Sequence, residues 1–233
     1  MNSFQFKQFT IQQNTTAMKV GTDGVLLGAW SRVKEGNLLD IGTGTGLIAI
    51  MLAQRNQAAI IDGVEIEKSA YTQAVENVKN CNWSDQINAH HCSIQNYGPN
   101  KKYDVIISNP PFFIESTKAP NSERNTARHT DNLSFADLIS AVIRLLKPDG
   151  IFSLILPIAE SKQFIQLAEE QNLFLNKECI VKPNLTKPAK RVLMEFSFQK
   201  KELIKTKFTI ENETRHHYTK EYISLTKDFY LKF

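Results

Sequence analysis

Leu38-Leu39-Asp40-Ile41-Gly42-Thr43-Gly44-Thr45-Gly46 decides how this chain is read. A short apolar run ends in an acid and gives way to three glycines at alternate positions. Leu47 to Gln54 then carries apolar residues at helical spacing. Strand, turn and helix in that order begin a βαβ unit, and glycine at the turn lets the backbone approach a ligand closely. A dinucleotide-binding turn reads G-x-G-x-x-G and aims a helix N-terminus at a pyrophosphate. Here the third glycine arrives one step early, and the strand ends in an acid. S-adenosylmethionine has no phosphate to cradle, and Asp40 suits its ammonium group. Asp40, Gly42, Thr43, Gly44 and Gly46 are therefore candidate cofactor contacts.

Outward from the turn, strand-like runs alternate with helical patterns, the signature of a parallel sheet. Strands are expected at Asn37 to Ile41, Ile60 to Glu65, Ile87 to His91, Tyr103 to Ser108 and Ile151 to Leu156. A helix is expected over Lys68 to Asn80, with Ala70, Ala74, Val75 and Val78 on one face. A second follows the N-cap residue Ser134, runs from Phe135 to Leu146 and stops at the turn Lys147-Pro148-Asp149-Gly150. A third covers Glu160 to Gln171. Leu173 to Val181 and Arg191 to Gln199, joined by a proline-bearing loop, read as an antiparallel hairpin. The expected architecture is a doubly wound α/β fold: a mostly parallel, seven-stranded sheet with helices on both faces. A single domain spans residues 1–233, its core being 37–233. Glu115 to Asp131 is the longest stretch without clear periodicity, and such loops are often functional.

Two further places at the carboxyl ends of the strands carry chemistry. Glu65 ends the second strand, about 20 residues after the turn, where a carboxylate can accept hydrogen bonds from a ribose diol. Ile66 beside it joins the candidate cofactor contacts. Asn109-Pro110-Pro111-Phe112 follows the fourth strand, at the edge where open α/β sheets bind ligands. An exocyclic amine on an aromatic ring is a poor nucleophile because its lone pair is delocalised. Acceptors aimed at both N–H bonds hold such an amine for reaction, and the Asn109 side-chain oxygen and the Pro110 carbonyl can supply them. The two prolines stiffen the corner, and Phe112 can stack on a base. Proximity then does most of the work without a metal or a nucleophilic side chain.

Composition excludes several other classes. A length of 233 residues, 42% hydrophobic and 22% charged, is enough for one full core. Residues 1–13 lack the apolar run of a secretory signal, and no apolar stretch approaches the roughly 20 residues of a membrane span. Cys81, Cys92 and Cys179 form no C-x-x-C pair, which argues against a disulfide framework or a zinc site. His90-His91 and His216-His217 have no partners at metal spacing. A soluble, cytoplasmic, metal-free protein is expected, with a monomer favoured. The stretch from Lys177 to Phe233 holds 13 Lys/Arg and 7 Asp/Glu, leaving 15 and 17 in the rest. This basic C-terminal part suits a polyanion, and a solvated lysine surface equally.

With these residues in hand, the chain resembles the class I, Rossmann-like S-adenosylmethionine-dependent methyltransferases. Specifically, it resembles the bacterial tRNA (adenine-N6)-methyltransferases that modify adenine 37 of a valine tRNA. The likeness rests on Phe6-Lys7-Gln8-Phe9, the run from Met18 through Lys19, Gly21, Thr22 and Asp23 to Trp30, the glycine turn, Asn109 to Phe113, Ala127-Arg128-His129, and Asp228 to Leu231. It implies that residues 1–36 cover the cofactor. Thr22 and Asp23 would begin a helix over its methionine end, with Lys19 and Gly21 close by; Thr22 also reads as a plain helix cap. Where many relatives carry an acid for the cofactor adenine, Cys92-Ser93-Ile94 offers only Ser93. RNA phosphates would fall to Lys118, Arg124, Arg128 and His129 in the long loop, and to Lys187, Lys190 and Arg191 in the basic part. Rival readings are methylation of guanine N2 in rRNA, of adenine N6 in DNA or of glutamine N5 in protein. A non-enzymatic reading is a protein that binds S-adenosylmethionine or RNA without chemistry.

Overall fold

Successive side chains on a strand face opposite ways, so each apolar strand feeds two cores. In the computed structural model, which describes residues 3–14, 18–111 and 133–232, β3 (Gly36–Ile41) sends Leu38 to one face and Leu39 and Ile41 to the other. β6 (Tyr103–Ser108) divides Val105 and Ile107 from Tyr103 and Ile106 in the same way. The first core is covered by α1 (Thr22–Trp30) and α2 (Leu47–Arg55), the second by α4 (Phe135–Leu145) and α5 (Ile158–Glu170). α3 (Lys68–Lys79) follows β4 (Ala59–Glu65), and β5 (Ile87–His91) closes that edge of the sheet.

Beyond β6 the sheet continues through β7 (Leu146–Pro157), β9 (Arg191–Ser197), β8 (Phe174–Asn184) and β10 (Ile204–Glu211). The order is β10-β8-β9-β7-β6-β3-β4-β5. Only β9 runs against its neighbours, pairing antiparallel with β7 and β8, while every other pairing in this sheet is parallel. The expected hairpin is therefore present, and the mostly parallel sheet with helices on both faces stands. The strand count is eight instead of seven. The extra strand, β10, is an exposed edge whose Lys205 and Lys207 alternate with Thr206 and Phe208, a polar pattern that discourages further pairing and carries little apolar signal.

Two local expectations are corrected. Lys147-Pro148-Asp149-Gly150 is strand, not turn: β7 starts at Leu146, which is buried opposite Tyr103, and Lys147 pairs with Asp104 at 2.8 Å across a bulge. On α3 the buried residues are Ala70, Gln73, Ala74, Asn77 and Val78, whereas Val75 is 40% exposed. The spacing i, i+3, i+4, i+7, i+8 sets the buried face, and it includes two amides.

The chain ends interlock. β1 (Ser3–Gln5) and β2 (Thr10–Gln12) form a small hairpin whose Phe6 stacks on Phe9 at 4.6 Å and on Tyr230 at 5.9 Å. The Lys7 amide donates to the Phe229 carbonyl at 2.8 Å, and its ammonium to the Lys227 carbonyl. A last helix, α6 (Lys220–Thr226), buries Tyr222 in the same aromatic group. No helix among the described residues is long and apolar enough to cross a membrane.

α1 ends on a side chain from α2. Nη1 of Arg55 donates to the carbonyls of Gly28 and Ser31, both at 2.7 Å, satisfying groups that the helix end leaves open. Arg55→Met keeps the stem and removes the donors. Urea unfolding is expected to show a loss of about 2 kcal/mol, the size of charge-assisted hydrogen bonds to buried carbonyls; an unchanged midpoint would refute the bracing role.

Candidate active site

The three turn glycines all adopt positive φ, 72° at Gly42, 57° at Gly44 and 82° at Gly46, a region that side chains resist. Their surroundings differ. A Cβ at Gly46 would make ordinary contact with Ala74 at 3.6 Å, so α3 already covers that side of the turn; a Cβ at Gly42 would meet nothing within 4 Å. The Gly42 side of the turn therefore has room for a ligand. Glu65 reaches back to hold the turn: its Oε2 accepts from the Gly44 amide and its Oε1 from the Glu67 amide, both at 2.9 Å. Each oxygen keeps a second lone pair for a diol.

Asp40 lies under the turn and is fully buried. Its Oδ2 accepts from the Thr43 hydroxyl at 2.7 Å, and its Oδ1 has no hydrogen-bond partner among the described residues. Burial pushes its carboxyl from 3.8 up to about 7; the Thr43 hydroxyl and the Ala49 amide oppose this, and the charge of Glu65 adds to it. A cation at the turn would favour the ionised form.

The Asn-Pro-Pro corner leaves the sheet beside that turn. Ile41 pairs with Ser108, whose hydroxyl donates to the Ile41 carbonyl at 2.9 Å, so Gly42 and Asn109 step off adjacent strands at the same level. Pro110 is buried and Pro111 exposed. Oδ1 of Asn109 is buried without a hydrogen-bond partner among the described residues. α1 packs close by: a Cβ at Gly24 would lie 3.2 Å from Leu47 and 3.9 Å from Nδ2 of Asn109. Phe112, Lys118, Arg124, Arg128 and His129, with the rest of the 115–131 loop, lie outside the described residues.

The N-terminal candidates gather at the same edge of the sheet. Gly21, extended at φ −127°, is the N-cap of α1. Thr22 is the first helical residue and is not the cap, since Gly21, which has no side chain to offer the free amides, already holds that place. The Lys19 ammonium donates to the Gln13 carbonyl. Asp23, expected at the cofactor, and Arg191, expected at RNA, bond each other at 2.7 Å, joining α1 to the start of β9. Arg191 pairs with Pro157 at the end of β7, so the exposed Lys187 and Lys190 between β8 and β9 also sit at the carboxyl edge.

On the other side of the turn, Ile66 is 46% exposed beside Glu65, and its carbonyl is within 3.1 Å of the His91 ring. The Cys92 amide donates to the Glu65 carbonyl at 3.1 Å, laying residues 92–94 along the same wall. The Ser93 hydroxyl accepts from the Asn96 amide at 3.3 Å. Arg144 of α4 holds this loop by donating to the carbonyls of Ile94 and Tyr97. His90 lies 3.2 Å from Asp62, and no cluster of three or more His, Cys, Asp or Glu among the described residues could hold a metal. Sequence reading passed over Arg144, Gln73 and Asn77. For the two amides a signal existed, since they fall on the apolar stripe of α3.

Comparison with known proteins agrees with this geometry. A family model for the methyltransferase small domain matches residues 16–156. A tRNA1(Val) (adenine(37)-N6)-methyltransferase of Christiangramia forsetii is 46% identical and aligns over 98% of each chain. One of the same name from Trichodesmium erythraeum is 49% identical over 100% of this chain and 99% of that protein. Among solved structures, a predicted O-methyltransferase of Agrobacterium tumefaciens superposes with a TM-score of 0.69 at 16% identity, covering 89% of this chain and 96% of that one. The glycopeptide N-methyltransferase MtfA complexed with S-adenosylmethionine gives 0.57 at 11% identity, covering 77% and 89%. At such identities these two structures speak for the fold alone.

The raised carboxyl of Asp40 makes stability depend on pH. A folded-state value of about 7 against 3.8 means that the protonated form favours the fold; this contribution is whole below pH 3.8 and is lost as pH rises through 7. Relative to an Asp40→Asn variant, the wild type is expected to lose unfolding free energy across that window. A difference that stays flat with pH would show that Asp40 does not titrate there.

Proposed function

We propose, from the premise that this chain belongs to the methyltransferase small domain family and within it to the tRNA1(Val) (adenine(37)-N6)-methyltransferases, that it methylates the exocyclic N6 of adenine 37 in a valine tRNA. The observation that carries the chemistry is Oδ1 of Asn109, buried and without a hydrogen-bond partner among the described residues. Leaving such an acceptor unmet costs about 1–3 kcal/mol, which an arriving N–H recovers. The residues present also fit the cofactor: open space beside Gly42, a buried acid with a free oxygen at Asp40, and a diol-competent carboxylate at Glu65. When bound, S-adenosylmethionine supplies a methyl group made electrophilic by its sulfonium.

The chain's own residues do the remaining work. Asn109 accepts one N–H of the amine and the Pro110 carbonyl accepts the other, which turns the lone pair toward the turn. Because Pro110 and the strand end fix both acceptors, little reorganisation is needed as the reaction proceeds. Phe112 is assigned the stacking surface for the base. Asp40, Thr43 and Glu65 hold the glycine turn open on the side that faces Asn109, and Ile66 offers an apolar surface to the cofactor adenine. Lys187 and Lys190 lie where a phosphate backbone would pass if a splayed-out base entered the corner.

Purified protein, labelled S-adenosylmethionine and tRNA lacking the modification provide the direct test, read by nucleoside mass spectrometry. N6-methyladenosine at position 37 of a valine tRNA is expected. Label in rRNA, DNA or protein would overturn the substrate, and no transfer at all would leave a binding protein. Asn109→Ala is expected to slow transfer about 100-fold with cofactor affinity kept. Lys187→Ala and Lys190→Ala should each lower the log–log salt slope of tRNA binding by roughly one; unchanged slopes would remove these lysines from the RNA face.

A further inference from the structure

Asn77 is 1% exposed, and its carboxamide is spent on backbone. Its Oδ1 accepts from the Gln12 amide at 2.8 Å, and its Nδ2 donates to the Gln12 carbonyl and to the Thr45 carbonyl, both at 2.9 Å. Both of its donors are therefore committed. Toward Gln12 the side chain bonds as a neighbouring strand would; toward Thr45 it grips the glycine turn, two residues past the Thr43 that holds Asp40. One turn of α3 earlier, Gln73, 2% exposed, accepts from the Asn14 amide at 3.2 Å. The described parts of the N-terminal arm, residues 12–14 and 18–21, are also tied to each other, because the Gln13 side chain accepts from the Val20 amide at 2.7 Å and the Gln13 carbonyl accepts from Lys19. The chain then enters α1, whose Gly24 backs onto Leu47 and Asn109.

We propose that Asn77 is a positioning residue for cofactor binding. Its carboxamide joins the N-terminal arm to the glycine turn, so that the arm, Lys19, Gly21 and the start of α1 stand ready across the cofactor site before the cofactor arrives. The inference rests on the S-adenosylmethionine reading of that site. Packing alone does not ask for this residue: a leucine would fill the face of α3 as well, and burying an amide is favourable only because all its bonds are met. Gln73 holds the arm through the Asn14 amide and has a smaller part in the same arrangement. A preordered arm spares the binding step the entropy of ordering it, so the benefit falls on cofactor affinity and not on the chemical step.

The test uses the whole protein and reads S-adenosylmethionine binding by calorimetry, apart from any methyl transfer. Asn77→Ala is expected to weaken the cofactor Kd by about tenfold, the worth of one buried hydrogen bond, while kcat at saturating cofactor and KM for tRNA stay at wild-type values. Trypsin should cut after Lys19 faster in the variant, and added cofactor should protect the wild type more than the variant. Gln73→Leu, which removes the bond to the Asn14 amide and keeps Asn77, should show the same direction at smaller size and stands in if Asn77→Ala does not fold. Val142→Ala, in the other core, should lower Tm and leave the cofactor Kd alone. A folded Asn77→Ala or Gln73→Leu that binds the cofactor as the wild type does would overturn the inference. Wild-type protein that binds no S-adenosylmethionine would overturn the cofactor reading itself, and with it this inference.

Discussion

The parallel pairing of β3 with β6 is the constraint from which the site follows. With Ile41 opposite Ser108, the two strands end together, and the next residues are Gly42 on one and Asn109 on the other. A register slip of one residue would turn every side chain of β6 to the wrong core and carry Asn109 away from the turn. The two cores guard against this. Val105 and Ile107 are buried in one core and Tyr103 and Ile106 in the other, so a slip would push each side chain among neighbours shaped for a different one. The glycine turn and the Asn-Pro-Pro corner, the two halves of the proposed site, are thereby held together by the ordinary hydrophobic pattern of two strands.

Most of this frame was legible before any coordinates. Three alternate glycines between a strand and a helix, and an Asn-Pro-Pro at the end of a later strand, name both halves of the site by residue type alone. Strands buried on both faces announce themselves as apolar runs: β3, β4 and β6 were placed within a residue, whereas β7 begins at Leu146 and not at Ile151. β10 was missed because an edge strand facing solvent has no need of apolar residues, and its lysines read as tail. Lys147 to Gly150 misled because proline and glycine usually stop a chain, whereas here the buried Leu146 pulls the segment into the sheet through a bulge.

Charge was the least legible signal. Asp23 and Arg191 were assigned to different ligands, and they bond each other. Lys101 and Lys147 are likewise taken up by Asp62 and Asp104, and Lys177 lies 4.5 Å over the ring of Trp30. A residue's sign says what it can attract but not which attraction the fold has already satisfied. Helical spacing on α3 held a signal that was not used: the stripe through Ala70, Ala74 and Val78 puts Gln73 and Asn77 inside, where their amides found backbone partners, and leaves Val75 outside.

The union of the chain ends bears on how the protein comes into being. The Lys7 ammonium and the carbonyl it meets are separated by 220 positions, and Phe6 is covered by Tyr230. During synthesis the first hairpin waits, its aromatic face exposed, while the strands between the two ends are made and paired. The hairpin and α6 then share one aromatic cluster through Tyr230, so that a change on either side is felt by both.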